Sequence, residues 1–224
     1  MSELTATSNH RQTRRVRQEW DTVFREYIAA LPAADAAHDL AHVQRVVVNA
    51  RRFAEAEGAD LAVVLPAAWL HDCVAVCKGS KLRSMASRLS ADKAVQLLGD
   101  WGYPAKYMDA IRHAIEAHSW SAGIAPRTLE AKVVQDADRI DSLGAIGVAR
   151  AILVGGALGR ALYHPGDPLC EQRCPDDKAY TLDHFFSKLL KLKDGFHTAA
   201  ARVEAQKRHD FMQQYLATLK AEVM

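Results

Sequence analysis

Four side chains in this sequence are of the types that hold a divalent metal. They are His42 in HDLAHVQRV, the adjacent His71 and Asp72 in AAWLHDCVAV, and Asp138 in QDADRID. Imidazole nitrogen and carboxylate oxygen suit divalent transition metals, and carboxylate also suits magnesium or manganese. Asp72 follows a long apolar run, where an ionised carboxylate is costly to bury without a compensating charge. Asp136, Asp138 and Asp141 crowd one segment that is otherwise apolar on one face. Carboxylates that close favour a cation between helices. A lone histidine is more often an ordinary core or surface residue, and a lone His-Asp dipeptide says little. The argument rests on the combination: three segments, each offering a ligand to one shared point, as metal sites in helical bundles are built.

The elements that must position these residues read as helices. Period-two alternation between turn dipeptides is almost absent, and no repeat recurs. The pattern predicts a first helix from Gln12 to Ala30, and a second from an Asp39 cap to Glu57, stopped by Gly58. His38 is then peripheral. A third, buried rather than amphipathic, runs from Asp60 to Val76 with Pro66 near its start or kinking it. A polar loop from Lys78 to Leu89 precedes a helix from Ser90 to Leu98, ended by Gly99. Further helices are predicted from Pro104 to His118 and from Thr128 to Leu143. Gly144 and Gly147 divide the latter from its successor. Residues 155–176, rich in Gly and Pro, read as an irregular insert, either a lid or a static loop. Helices resume at Asp177–Leu192 and from Gly195 onward. One all-α domain is the simplest account.

Composition narrows the function classes. With 29 basic and 27 acidic residues the net charge is +2, which gives no reason to expect a nucleic-acid polymer or a membrane as partner. The N-terminus shows no apolar leader, and the apolar stretches Leu61–Leu70 and Ala151–Leu158 are too short to span a bilayer, so the cytoplasm is expected. Cys73, Cys77, Cys170 and Cys174 fall in two i, i+4 pairs. A four-thiolate zinc site would need tighter knuckles, and free cysteines acting as small hydrophobes or loop residues are the better reading.

The segments HDLAHVQRVVVNA, AAWLHDCVAV, IEAHSWSA, EAKVVQDADRIDSLGAIGVARA and DDKAYTLDHFFSKLLKL together resemble the HD superfamily of metal-dependent phosphohydrolases. Within it they are similar to the small bacterial single-domain group of the YpgQ and YedJ type, over roughly Trp20 to Tyr215. The resemblance implies an all-α, single-domain HD-type helical bundle over residues 16–222, behind a flexible N-terminus at 1–15. It implies one divalent metal ion (Mn, Mg, Fe, Ni, Co or Zn) on His42, His71, Asp72 and Asp138. The implied activity is hydrolysis of nucleotides, with (d)NTP pyrophosphohydrolysis to monophosphate and pyrophosphate in front. A nucleoside-monophosphate phosphatase and a catalytically weak nucleotide-binding sensor stand as alternatives. A homodimer is left open.

Asp72 and His118 are the catalytic candidates, as proton acceptors. Some relatives carry a carboxylate three residues after the doublet, where this chain has Ala75, so the general base is not identified. His113 reads as an ordinary histidine. An anionic substrate needs cations, and Arg45, Lys81, Arg83 and Arg88 are the phosphate-binding candidates, with Lys78 beside them and Lys178 and Lys188 as weaker ones.

Overall fold

A computed structural model describes residues 19–31, 39–76 and 82–223. The predicted flexible N-terminus, His38, Cys77, Lys78 and Lys81 lie outside the described residues, as does the side chain of Arg83. Nine helices occur among the described residues, and no named strand. They are α1 (19–30), α2 (Leu40–Glu57), α3 (Leu61–Leu70), α4 (Ala86–Asp100), α5 (Met108–His118), α6 (Leu129–Arg139), α7 (Gly144–Ala157), α8 (Asp183–Ser187) and α9 (Ala199–Val223). Together they make the all-α bundle expected from the sequence.

Helix α2 starts where the Asp39 carboxylate accepts the His42 amide at 2.8 Å, and stops at Gly58, whose φ of 76° admits the left-handed turn. The cap fixes His42 in the first turn. Val43, Val46, Val47, Ala50, Phe53 and Ala54 bury the stripe that packs on α3 and α6. Helix α3 is buried from Val63 to Leu70, so it has no solvent face to be amphipathic about. Helices α5 and α6 close this four-helix core, α4 covers α5, and α9 lies across α7 with contacts to α2 and α6. Phe24 of α1 stacks on Trp20 at 5.7 Å and joins an aromatic cluster with Trp101 and Tyr103.

Pro66 stands inside α3, not at its start. Its missing N–H would have bonded the Ala62 carbonyl one turn earlier. Tyr103 supplies the lost donor, with its hydroxyl on Ala62 O at 2.7 Å. The proline is tolerated because a tyrosine forty-one positions after Ala62 closes the gap.

The structure corrects several sequence-predicted boundaries. The third helix ends at Leu70, not Val76: the Cys73 amide bonds Leu70 O, an i−3 bond that tightens the chain into a turn. His71 and Asp72 therefore sit at the end of an apolar helix, not within one. The fourth helix starts at Ala86, because Ser90 is no cap: its buried hydroxyl accepts the Val74 amide and ties the turn after Asp72 to α4. Gly99 lies within that helix, and Gly102, φ 77°, makes the turn beyond it. Helix α7 continues through Gly155 and Gly156 to Ala157. The helix predicted over Asp177–Leu192 shrinks to α8 and a 3-10 segment at Leu189–Gly195. There the aspartates fold loops instead of helix: Asp177 accepts from His184 Nδ1 at 2.8 Å and from Ser187 Oγ at 2.9 Å. The last helix starts at Ala199, after Asp136 has accepted the His197 and Thr198 amides and the Thr198 hydroxyl. Asp136, expected near a cation, is thus a buried cap for α9.

No single helix among the described residues is long and apolar enough to cross a membrane. The consecutive α6 and α7 regions pass that test only jointly, across a 64° bend.

Two stability measurements follow. Tyr103→Phe is expected to lower unfolding free energy by about 1 kcal/mol, the net worth of a part-buried hydrogen bond. The loss should shrink in a Pro66→Ala background, which restores the intrahelical donor. Equal losses in both backgrounds by denaturant titration would refute the pairing. Asp183 is fully buried; burial raises its pKa, but the Arg173 guanidinium and the Asp176 amide outweigh that and hold it below the usual carboxylate range. Its stabilising contribution is present above the unfolded value of about 4 and lost as pH falls through the lower folded value. Arg173→Met should therefore flatten the acid limb of Tm against pH below about 4, and an unchanged limb would contradict the assignment.

Candidate metal centre

The end of α3, the first turn of α2, the last turn of α6 and the last residue of α5 meet at one point. His42 Nε2 lies 3.4 Å from Asp138 Oδ1, and His71 Nε2 lies 3.8 Å from the same oxygen. Asp72 Oδ2 is 3.6 Å from His71 Nε2, and its Oδ1 is 3.5 Å from His118 Nε2. Ligand atoms of His42, His71 and Asp72 all fall within 4.8 Å of one another. All four sequence-predicted metal ligands are therefore brought together, with His118 against them. Donors held at about 2.0–2.2 Å from a divalent ion stand about 3–3.5 Å apart, so the cluster needs little contraction to enclose one.

The rings are aimed by their other nitrogens. His71 Nδ1 bonds Ala68 O at 2.8 Å, and His118 Nδ1 bonds Ile115 O at 2.6 Å. Both carbonyls belong to helix ends, where C=O groups lack intrahelical donors. An Nδ1–H given to a carbonyl leaves Nε2 as the lone-pair nitrogen, the tautomer a metal requires. His71 is fully buried, yet its Nε2 has no hydrogen bond. A buried imidazole nitrogen without a partner, facing two carboxylates, is what a ligand position looks like before its ion is considered.

His42 is held differently. Its Nδ1 meets Asp141 Oδ2 at 2.7 Å. Asp141 is fully buried and also accepts Arg45 Nε at 2.7 Å, Arg45 Nη2 at 2.9 Å and Arg150 Nη1 at 2.7 Å. Burial pushes the Asp141 carboxyl up, but His42 and Arg45 hold it below its ordinary value. The same balance acts on Asp138, where burial is outweighed by three histidines and the carboxyl lies well below the usual range. Burial works against a charged His42, but the two carboxylates raise it to about 9. Burial lowers His71. His118 is raised: burial opposes its charge, but Asp72 and Asp138 favour it.

A cavity of about 420 Å³ opens beside the cluster, lined by His118, Asp138, Arg139, Trp120, Lys188 and Lys191 among others. Arg139 is buried and props the cavity wall. Its guanidinium lies 5.1 Å from the Trp120 ring, with Nη2 on Gln135 Oε1 at 2.9 Å and Nη1 on Gly195 O. Trp120 itself is 80% exposed, so one face is open to a planar ligand. The loop folded by Asp177 delivers Lys188 and Lys191.

The predicted phosphate-binding residues fare unevenly. Arg45 is bidentate on Asp141 and not on this cavity's wall. Arg88 is exposed on α4, with Nη1 on Met85 Sδ at 3.6 Å, and does not line the cavity. Lys188, ranked low from sequence, is a wall residue; Lys191 and Trp120 were missed. Their signals were present in SKLLKLK, which places two lysines three apart, and in the tryptophan beside His118. His113 accepts the Arg127 amide at 3.0 Å and closes a loop, as an ordinary histidine would. Cys73, Cys170 and Cys174 are free, and burial pushes the Cys73 thiol up to about 12.

Comparison with known proteins matches residues 39–143 to the HD domain family model. The chain is 38% identical to YpgQ of Bacillus subtilis strain 168 over 190 residues, 83% of this chain and 84% of that one. The crystal structure of B. subtilis YpgQ in complex with ADP superposes with a TM-score of 0.70 at 35% identity, covering 90% of this chain and 94% of that one. An HD-superfamily hydrolase of Bacillus thuringiensis superposes at 0.71 with 32% identity, covering 92% and 97%.

Asp141→Asn tests the aiming of His42. Removing the charge behind a ligating histidine typically costs 10–100-fold in metal affinity. A loss in that range is expected on titrating metal-stripped protein with Mn²⁺, at unchanged helix content by circular dichroism. Wild-type affinity would mean Asp141 only holds the arginines.

Proposed function

The chain belongs to the HD-domain family, and from that premise we propose that it is a metal-dependent phosphohydrolase acting on nucleotides, with nucleoside triphosphates cleaved to monophosphate and pyrophosphate. The observation that carries this reading is the convergence of two imidazoles and two carboxylates beside a cavity walled by two lysines and an open tryptophan face. The ADP held by the related YpgQ supports a nucleotide as the ligand class.

His42, His71, Asp72 and Asp138 would hold a divalent ion, which would polarise a phosphoryl oxygen and acidify a coordinated water. Two neutral histidines and two carboxylates carry about −2, which a divalent cation offsets. The remaining chemistry belongs to the chain. Lys188 and Lys191 meet the phosphate charge as point cations. Trp120, backed by the Arg139 guanidinium, offers its face to the base. His118 Nε2, whose ring is fixed by the Nδ1 bond to Ile115 O, would accept a proton from the attacking water, with Asp72 3.5 Å away to stabilise the imidazolium.

The test is release of phosphate and pyrophosphate from a nucleotide panel, by metal-stripped protein re-supplied with Mn²⁺, Mg²⁺, Co²⁺, Ni²⁺ or Zn²⁺. Pyrophosphate release that needs metal and vanishes in Asp72→Ala is expected. Phosphate alone from monophosphates would assign a phosphomonoesterase, and metal binding without turnover would assign a sensor. In the double variant Lys188→Ala, Lys191→Ala, kcat/KM for a triphosphate should fall about 100-fold, two charge-assisted contacts' worth. An unchanged value would remove both lysines from the substrate path.

A further inference from the structure

A second cavity, of about 600 Å³, lies on the far side of Asp141 from the metal centre. One face of α2 supplies its wall through residues at helical spacing, with Gln44, Arg45, Val48 and Asn49 among them. The start of α7 supplies the opposite wall, and Arg208 of α9 reaches across. We propose that this cavity is a binding site for a small oxyanion of the phosphate class, distinct from the metal centre and independent of the nucleotide-hydrolysis reading.

Helix α7 opens onto this cavity with its first residues. Its Leu143 cap makes no side-chain hydrogen bond, and its first turn holds no acidic residue. The first amides of a helix lack intrahelical acceptors and carry the positive end of the dipole. Here that end lines the same cavity as Arg45 and Arg208, each of which is paired with one carboxylate, Asp141 and Glu204, on its other side, so the cavity side of the cluster favours an anion. The Asp141 carboxylate offsets only part of this charge, because His42, Arg45 and Arg150 share it.

Each guanidinium keeps a donor in reserve. Arg45 uses Nε and Nη2 on Asp141 and leaves Nη1. Arg208 is anchored by Nε on Glu204 at 2.7 Å and Nη1 on Ile140 O at 2.9 Å, and leaves Nη2. Gly144 makes the approach of Arg208 possible: a Cβ there would stand 3.0 Å from Arg208 Cγ, at a φ of 73° that side chains rarely adopt. The independent observation is Asn49. Its side chain is 93% buried against the cavity, and it has no hydrogen-bond partner among the described residues. A ligand oxygen in the cavity would give this carboxamide a protein-held partner in place of solvent. Two guanidinium N–H groups, one amide NH₂ and a helix start match the acceptor oxygens of a phosphate group. An anion on Arg45 Nη1 would stand two residues from the metal centre, through Asp141 to His42.

The experiment is calorimetric titration of inorganic phosphate into metal-loaded and metal-stripped protein, with acetate and sulfate as comparison anions. Phosphate should bind both forms, since the site uses no metal ligand. In stripped protein, Ala145→Glu places a tethered carboxylate on the first turn of α7 and Arg208→Gln removes one cation. Each should weaken phosphate at least tenfold. Ala145→Glu suits a helix start and should keep the wild-type Tm, which separates site loss from unfolding. Binding that disappears with the metal would place all phosphate at the metal centre and overturn the proposal. So would wild-type affinity in both variants, or equal binding of acetate, which would reduce the site to a generic counter-ion atmosphere.

Discussion

The organisation of this protein turns on one buried carboxylate. Asp141 has no exposed surface, and it is bonded from three directions by His42, Arg45 and Arg150. A lone carboxylate at that depth would be protonated or expelled. Two guanidiniums and an imidazole make it tolerable, and in doing so they fix α2 and α7 to the segment that follows α6. The clustered histidine on α2, His42, and the clustered aspartate on α6, Asp138, thereby come to one register. Breaking a buried ion network by removing one partner costs more than the network is worth intact, because a charge is left behind. That asymmetry makes the arrangement a constraint on geometry more than a store of stability.

That His42, His71, Asp72 and Asp138 would cluster was legible in the sequence, because such side chains are rare inside apolar helical segments and four of them stand out together. What the sequence could not separate was which acidic residue serves which purpose. Asp136, Asp138 and Asp141 lie within six positions, and their crowding suggested one cation between helices. The structure divides them: Asp138 faces the histidines, Asp136 caps α9, and Asp141 gathers the arginines. Each assignment depends on residues about 60 to 100 positions away, which no local pattern reports. The same reason explains Arg45, whose spacing from His42 suggested a substrate contact, though Asp141 claims two of its donors.

Helix ends were harder to read than helices. The apolar run after Asp60 had no stop signal before Val76, yet the helix closes at Leu70 through a single tightened hydrogen bond. This places the His-Asp doublet on a turn, where adjacent side chains can converge; within a helix, neighbours point about 100° apart. Ser90 carried a cap-like signal and is instead a buried bridge to that turn. Polar side chains at helix ends report that a hydrogen bond is needed nearby, and the structure shows when a distant backbone answers it.

The cap that Asp136 provides has a consequence for how the chain is made. A ribosome delivers α6, with its buried aspartates, some sixty residues before the His197 and Thr198 amides that satisfy Asp136. Until those amides emerge, α6 carries a carboxylate that has no place in an apolar interior. Domains generally fold as units, so an element whose partners are missing gains little by settling alone. The helix that bears Asp138 therefore gains its buried partner only when the segment with His197 and Thr198 has emerged, and the candidate site waits on that later segment. A nascent chain stalled before residue 197 would hold all four clustered side chains and still lack the buried contacts of Asp136.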